Sequence, residues 1–334
     1  MTTIREVAAR AEVSTSTVSR VLNDQANVDA LMARRVRKAI KELSYQPSPT
    51  ARALRTRRSH VWTLIISDIR SGFFGEVARA VEDAAQDADC AVVLCNTDED
   101  LGKERAYVDL ALAERVAGVI LSPASASQTS IARLDEAGIP VVLIDRAIDG
   151  GGFDLVTIDN RRAARAAVRH LIDQGFEHIA CIGGPTTIST GRDRVEGYRE
   201  ALSEAGLAID PQLTLVESFK RDGGERAANQ LLDLPEPPDA LFVGNGPQCV
   251  GAVQVIRARG LRVPADVGLV GFDDEAWTSL TTPDITTVAQ PAYEIGREAT
   301  ALLRRRLAGD GGAPRQLILD AELRVRSSSR RAAS

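Results

Sequence analysis

Apolar side chains recur along this chain with two different rhythms, and the change of rhythm divides it. Over the first 45 residues the spacing is helical. Ile4, Val7, Ala8 and Ala11 fall on one face; Val18, Val21 and Leu22 on a second; Met32, Val36, Ala39, Ile40 and Leu43 on a third. Thr3 with Glu6 three residues later has the form of a capping box, and Ser14 and Asp29 stand where the second and third helices need N-caps. From about residue 61 short apolar runs alternate with amphipathic stretches of helix length. The runs are 62–67, 91–95, 118–121, 141–144, 155–158, 179–182, 213–216, 240–243 and 268–271, and 76–87, 161–173 and 250–259 are among the stretches between them. Such alternation predicts parallel sheets covered by helices on both faces, and nine strands fit two doubly wound sheets better than one.

Charge sharpens this division. The 334-residue chain has a net charge of −5, yet residues 1–60 hold 12 Lys and Arg against 5 Asp and Glu. The remainder is correspondingly acidic, so a small basic head precedes a large acidic body. That asymmetry points the head, and not the body, at a polyanion. No run reaches the ~18 apolar residues of a membrane span, and the charged first twenty residues do not read as a secretory signal. A cytoplasmic location is expected. The four cysteines (Cys90, Cys95, Cys181 and Cys249) form no CxxC pair and lie far from the three histidines, so they read as buried thiols and no metal is expected.

Two short helices joined by a tight turn and closed by a third make a helix-turn-helix unit. Its second helix buries Val18, Val21 and Leu22. Ser16, Ser19, Arg20 and Asn23 lie opposite, flanked by Thr15 and Thr17. Small hydroxyl side chains let such a helix sink into a major groove, where Arg takes guanine O6 and N7 together. An ordinary three-helix scaffold with a solvated face is the alternative. After a break at Tyr45–Pro49 comes a stretch too short to be a stable free helix, carrying Leu54 among Arg52, Arg55, Arg57 and Arg58. An apolar wedge among arginines suits a minor groove, where it opens a base step.

With these residues in hand, the chain resembles the LacI/GalR family of bacterial transcription regulators. TIREVAARAEVSTSTVSRVLN at 3–23 matches the family's opening signature, and ELSYQPSPTARALRTRRS at 42–59 its hinge-helix region. Further landmarks are SGFFGEV at 71–77, VVLIDR at 141–146, VTIDN at 156–160, GRDRVEGYREAL at 191–202, VPADVGLVGFDD at 263–274 and TPDITTVAQP at 282–291. The resemblance implies an all-α helix-turn-helix DNA-binding head followed by an α/β body of two doubly wound, periplasmic-binding-protein-like lobes. The expected divisions are a head at 1–46, a hinge helix and linker at 47–60, and an effector-binding and dimerisation body at 61–334. Within the body, one lobe would hold 61–159 plus 291–317 and the other 160–289 plus 318–334, with a last strand near 317–326. By position, Thr15, Ser16 and Arg20 would read bases. Ser14, Thr17, Ser19 and Asn23 would set register on phosphates, with Leu54 as minor-groove lever and Arg55 beside it. The implied partners are pseudo-palindromic operator DNA, a small-molecule effector and a second copy of the chain.

Doubly wound sheets bind ligands beyond the carboxyl ends of their strands. Phe73, Phe74, Arg192, Arg194, Phe219, Asn245 and Asp273 fall at such ends or at the helix starts that follow; Asp145 and Thr190 are further candidates. Carboxylate, amide, guanidinium and aromatic face together suit a polyol. Each also has a plain structural role open to it: Phe74 as core, Arg192 as a solvated helix start, Asp273 or Asp274 as a cap. Asn245-Gly246-Pro247 departs from the family's usual Asn-Asp, and Ile188 stands where purine-binding relatives carry Arg. A repressor released by a neutral sugar or polyol is the expected function. A corepressor-dependent regulator that binds a purine or other small metabolite is the alternative. A solute-binding protein or a sugar-processing enzyme fits less well: no phosphate-binding loop, dinucleotide fingerprint or nucleophile elbow occurs, and neither enzyme activity nor a cofactor is expected.

Overall fold

A computed structural model describes residues 2–22, 28–45, 59–127 and 129–331. It divides into two compact units, residues 1–60 and 61–334.

The first unit has three helices: α1 (Ile4–Ala11), α2 (Thr15–Leu22) and α3 (Ala30–Glu42). Val7, Ala8, Ala11, Val18, Val21, Val36 and Ala39 form its core. The Thr3–Glu6 capping box starts α1, and Asp29 Oδ1 accepts the amides of Leu31 and Met32 at the start of α3. Glu12, at φ 52°, ends α1 in the left-handed region. Arg35 Nη2 donates to the carbonyls of Ala11, at 2.6 Å, and Glu12, fastening that turn to α3. The expected stripe of α3 needs correcting at its start. Met32 is 44% exposed, while Ile40 and Leu43 are only partly covered. The two eight-residue helices cover α3 around Val36 and Ala39 and leave its first turn open.

The second unit contains two six-stranded sheets. The first has the order β11-β5-β4-β3-β1-β2, with β1 (Val61–Ile66), β2 (Ala91–Asn96), β3 (Gly118–Leu121), β4 (Val141–Ile144), β5 (Asp154–Ile158) and β11 (Gln316–Leu319), all parallel. The second has the order β12-β10-β9-β8-β6-β7, with β6 (Ile179–Gly183), β7 (Thr214–Val216), β8 (Ala240–Val243), β9 (Gly268–Phe272), β10 (Thr286–Ala289) and β12 (Glu322–Arg324). Only β12 runs antiparallel there. The covering helices are α4 (Gly72–Asp87), α5 (Leu101–Ala113), α6 (Ala132–Glu136), α7 (Asn160–Asp173), α8 (Ser189–Glu204), α9 (Arg221–Leu232), α10 (Gly246–Ala258) and α11 (Ala292–Leu307). Runs such as VVLI at β4 and ALFV at β8 are buried at every position, because helices cover both faces of the sheet.

The structure revises four expectations. The single last strand is two strands, one in each sheet, because a segment that changes sheets cannot pair with both. The expected lobe division at 317/318 therefore falls inside β11, and the change of sheet comes after Leu319. β10 is an additional strand within the TPDITTVAQP segment. Leu213 belongs to a 3-10 turn ahead of β7. Helix α10 starts at Gly246, four residues earlier than its apolar periodicity indicates, and α4 starts at Gly72, one residue ahead of Phe73; Pro247 fits the first turn of α10, where an N–H is not needed.

Candidate functional site

Two regions carry polar chemistry, and each belongs to one unit. In the head, Ser14 Oγ accepts the Thr17 amide at 3.1 Å and lies 2.6 Å from the Ser16 hydroxyl and 2.9 Å from that of Thr17. Ser14 therefore caps α2. Thr15, Ser16 and Arg20 are exposed, Thr17 and Ser19 are half-buried, and Val18 and Val21 face the core. Among the described residues no ion pair engages Arg20, so its guanidinium has its donors available. Asn23, Leu54 and Arg55 lie outside the described residues.

In the body, the ends of β1, β4, β6, β8 and β9 face one another across a cleft between the two sheets. Phe73, Phe74, Asp145, Thr190, Arg194, Phe219, Asn245 and Asp273 all line it, around about 380 Å³ of empty volume partly continuous with solvent. Arg192 does not. Its side chain is 42% exposed and lies beside Asp193 and Asp149, because two positions along α8 turn it roughly 200° away from Arg194, to the opposite face of the helix. Asp68, Ser71, Glu99, Arg146, Pro247 and Gln290 join the lining and were missed by the sequence reading. VVLIDR and TPDITTVAQP were the available signals for Arg146 and Gln290.

The cleft is built from charges held by specific partners. Arg146 donates to both oxygens of Glu99 at 2.7 Å and to the Pro123 carbonyl at 3.1 Å. Its Nε is 3.3 Å from Asp145 but is not aligned for a hydrogen bond. Burial alone would lower the Arg146 pKa, yet Glu99 and Asp145 outweigh it and raise it. Arg194 Nε donates to Asn160 Oδ1 at 2.8 Å and Nη1 to the Gly244 carbonyl at 2.6 Å, with the guanidinium 3.7 Å above the Phe272 ring. Among the described residues nothing bonds its Nη2, which leaves a donor for a ligand. Burial pushes the Arg194 pKa down, opposed by Asp273 and Asp145. Burial likewise raises Asp145 against the pull of Arg146 and Arg194.

Asp273 accepts from the Gly246 amide at 3.2 Å and from Gln290 Nε2 at 2.7 Å. It therefore touches the start of α10 while lining the cleft. Asn245 uses both ends of its amide on the protein, capping α10 through the Gln248 amide at 2.9 Å and donating to the Phe219 carbonyl at 3.0 Å. It positions Phe219. That ring packs over Gly184, where a Cβ would meet it at 2.1 Å, so only glycine admits it.

Among the described residues no group of His, Cys, Asp or Glu is placed to hold a metal ion, and no helix is long and apolar enough to cross a membrane. Burial pushes the Cys181 and Cys249 thiols up to about 12, far from thiolate chemistry.

Comparison with known proteins agrees with both regions. Residues 3–48 match the model of the bacterial regulatory proteins of the lacI family, and residues 168–329 that of the periplasmic binding protein-like domain. The chain is 38% identical over 307 residues to the ribose operon repressor of Halalkalibacterium halodurans, covering 92% of this chain and 91% of that one. It superimposes on the Lac repressor dimer bound to operator and the anti-inducer ONPF with a TM-score of 0.86 at 26% identity, covering 98% of this chain and 99% of that one. A transcriptional regulator CelR–cellobiose complex is 33% identical with a TM-score of 0.75, covering 98% of this chain and 100% of that one. With a helix-turn-helix unit at its start, two doubly wound sheets facing a polar cleft, and this similarity along nearly its whole length, the chain belongs to the lacI family of bacterial regulatory proteins.

Proposed function

We propose that this regulator is a homodimeric, cytoplasmic repressor that binds operator DNA through its head and is released when a small neutral sugar or polyol occupies the body's cleft. The observation that carries the ligand class is the balance of the cleft. Asp145, Asp273 and Glu99 face Arg146 and Arg194, and Arg146 is committed to Glu99. Carboxylates outnumber guanidinium groups, which disfavours an anionic ligand. What remains is the open donor of Arg194, the acceptor oxygens of Asp145 and Asp273, and the rings of Phe73 and Phe219. That set suits vicinal hydroxyls with a C–H face. Ile188, buried at the start of α8, offers no charged group to a purine. The ribose repressor and the cellobiose complex among the similar proteins support a sugar.

In the head, Thr15, Ser16 and Arg20 are the proposed base readers, with Leu54 the proposed minor-groove wedge and Arg55 its neighbour. Ser14, Thr17, Ser19 and Asn23 are proposed to act on phosphates. A thermal-shift screen of the purified chain against pentoses, hexoses, polyols and purines tests the ligand class, since a ligand of the folded state raises Tm. A sugar or polyol is expected to raise it. A rise with purines alone overturns this reading in favour of the corepressor one. Leu54→Ala is expected to weaken operator binding and leave sugar affinity intact.

A further inference from the structure

Among the contacts that bridge the sheets on either side of the cleft, two are made by charged side chains outside the candidate ligand set. The first centres on Glu275, just beyond β9. Its Oε1 accepts the Gly72 amide at 3.1 Å, from the opposite lobe, at the start of the 16-residue helix α4. Its Oε2 accepts from Trp277 Nε1 at 3.2 Å, which fixes the carboxylate's orientation. The carboxylate passes between two glycines that begin helices. A Cβ at Gly72 would lie 2.9 Å from Glu275 Cδ, and one at Gly246 would lie 2.7 Å from Glu275 Oε1. A negative group there also meets the positive ends of α4 and α10.

The second contact joins Lys220, in the β7–β8 lobe, to Asp98, after β2. Lys220 Nζ donates to the Asp98 carboxylate and, at 3.2 Å, to its carbonyl. Asp98 and Glu99 are held at φ 55° and 65°, a left-handed pair that turns one carboxylate to Lys220 and the next to Arg146. Both contacts are adjacent in sequence to cleft residues. Gly72 precedes Phe73, Glu275 follows Asp273 by two, Lys220 follows Phe219 and Asp98 precedes Glu99.

From this geometry we propose that Glu275–Gly72 and Lys220–Asp98 are paired clamps that hold the two lobes closed, so that residues touching no ligand set how tightly the cleft holds one. The consequence for affinity rests on the cleft being the effector site; the clamping does not. A cleft already closed by its own clamps binds ligand without the cost of closing, and a cleft that opens loses affinity by the fraction of time it spends open.

Hydrogen exchange on the full ligand-free chain tests the clamps separately from the sugar reading. The reporters are two other cross-lobe amides: Ala126, which donates to the Thr187 carbonyl at 2.9 Å, and Ala147, which donates to Ser189 Oγ at 2.9 Å. Glu275→Gln and Lys220→Met should each speed exchange at Ala126 and Ala147 about tenfold, the scale of one charge-assisted hydrogen bond, with β8 unchanged. Gly72→Ala should act in the same direction without altering charge, because its methyl displaces the carboxylate. If Ala126 and Ala147 exchange at the parent rate in all three variants, the clamps do not exist. If β8 also speeds up in one variant, that variant has lost its fold and the other two decide. A negative sugar screen with faster exchange at these amides would leave the clamps standing and remove only their effect on sugar affinity.

Discussion

The two lobes of the body are the same winding used twice, with opposite charges in one pair of seats. β4 and β9 occupy the same place in their sheets, and so do β5 and β10. Asp145 follows β4 and Asp273 follows β9. Both sit in the left-handed region, at φ 64° and 70°, and both donate their amide to the next strand, to Val156 at 3.0 Å and to Val288 at 2.9 Å. This repeated turn aims one carboxylate into the cleft from each side. The following residues differ in sign. Arg146 is locked by Glu99, whereas Asp274 is locked by Arg324 and, at 2.6 Å, by Arg326. Each lobe neutralises its second residue internally. Asp145 nevertheless keeps a cation 3.3 Å away, while Asp273 has only amide donors. The symmetric frame therefore supports two unequal acceptors: Asp145 is balanced by an adjacent cation, and Asp273 is held by hydrogen bonds from two amides.

The largest effect that would break this comparison is on stability. Arg146→Ala leaves buried Asp145 and half-buried Glu99 without their cation, and a loss of about 3–5 kcal/mol is expected in chemical denaturation. Next is ligand affinity. Asp273→Ala should weaken binding of the sugar found by thermal shift at least about tenfold by calorimetry, with operator binding retained. Asp145→Asn should cost less, and equal losses would erase the distinction between the two acceptors.

Acid titration gives a third test with opposite signs in the two lobes. Burial alone would raise Asp274, but Arg326, Thr287, Arg324 and Thr278 outweigh it and hold its pKa far below the ordinary 3.8. Its stabilisation is complete above 3.8 and is lost as pH falls toward the folded value. Burial raises Asp145 above 3.8, so its contribution is present below 3.8 and is lost as pH rises through the folded value. Asp274→Asn should flatten the acid loss of stability seen in urea midpoints. Asp145→Asn should compare best with the parent protein at neutral pH. The smallest effect lies in the head, where Thr3→Ala removes half of a capping box and should cost about 1 kcal/mol by thermal melting.

Much of the fold was legible because local rules and packing agreed. Thr3 and Asp29 cap the helices where their sequence positions indicate, and short, fully apolar runs such as ALFV, alternating with helix-length stretches, read as strands covered on both faces. What escaped was decided by contacts distant in sequence. Gly72 and Gly246 begin helices that apolar periodicity could not extend to them, because glycine contributes nothing to an apolar stripe. Nothing local divides 316–324 into two strands; the change of sheet does. In the site, Asp145, Arg194, Phe219 and Asp273 were readable from strand ends. Arg146, Glu99 and Gln290 were not, since Arg146 and Glu99 take their roles from each other and Gln290 takes its role from Asp273, all across loops. Arg192 shared the composition and location of Arg194, and two helical positions, about 200° of rotation, separate cleft from solvent.

The most direct test is a gel shift of the full chain on a genomic fragment that it selects itself, titrated with the sugar that raises its Tm. The sugar should free DNA from the parent protein, while Asp273→Ala should bind the same fragment and stay bound at every sugar concentration. Release of Asp273→Ala at the parent midpoint would contradict this expectation.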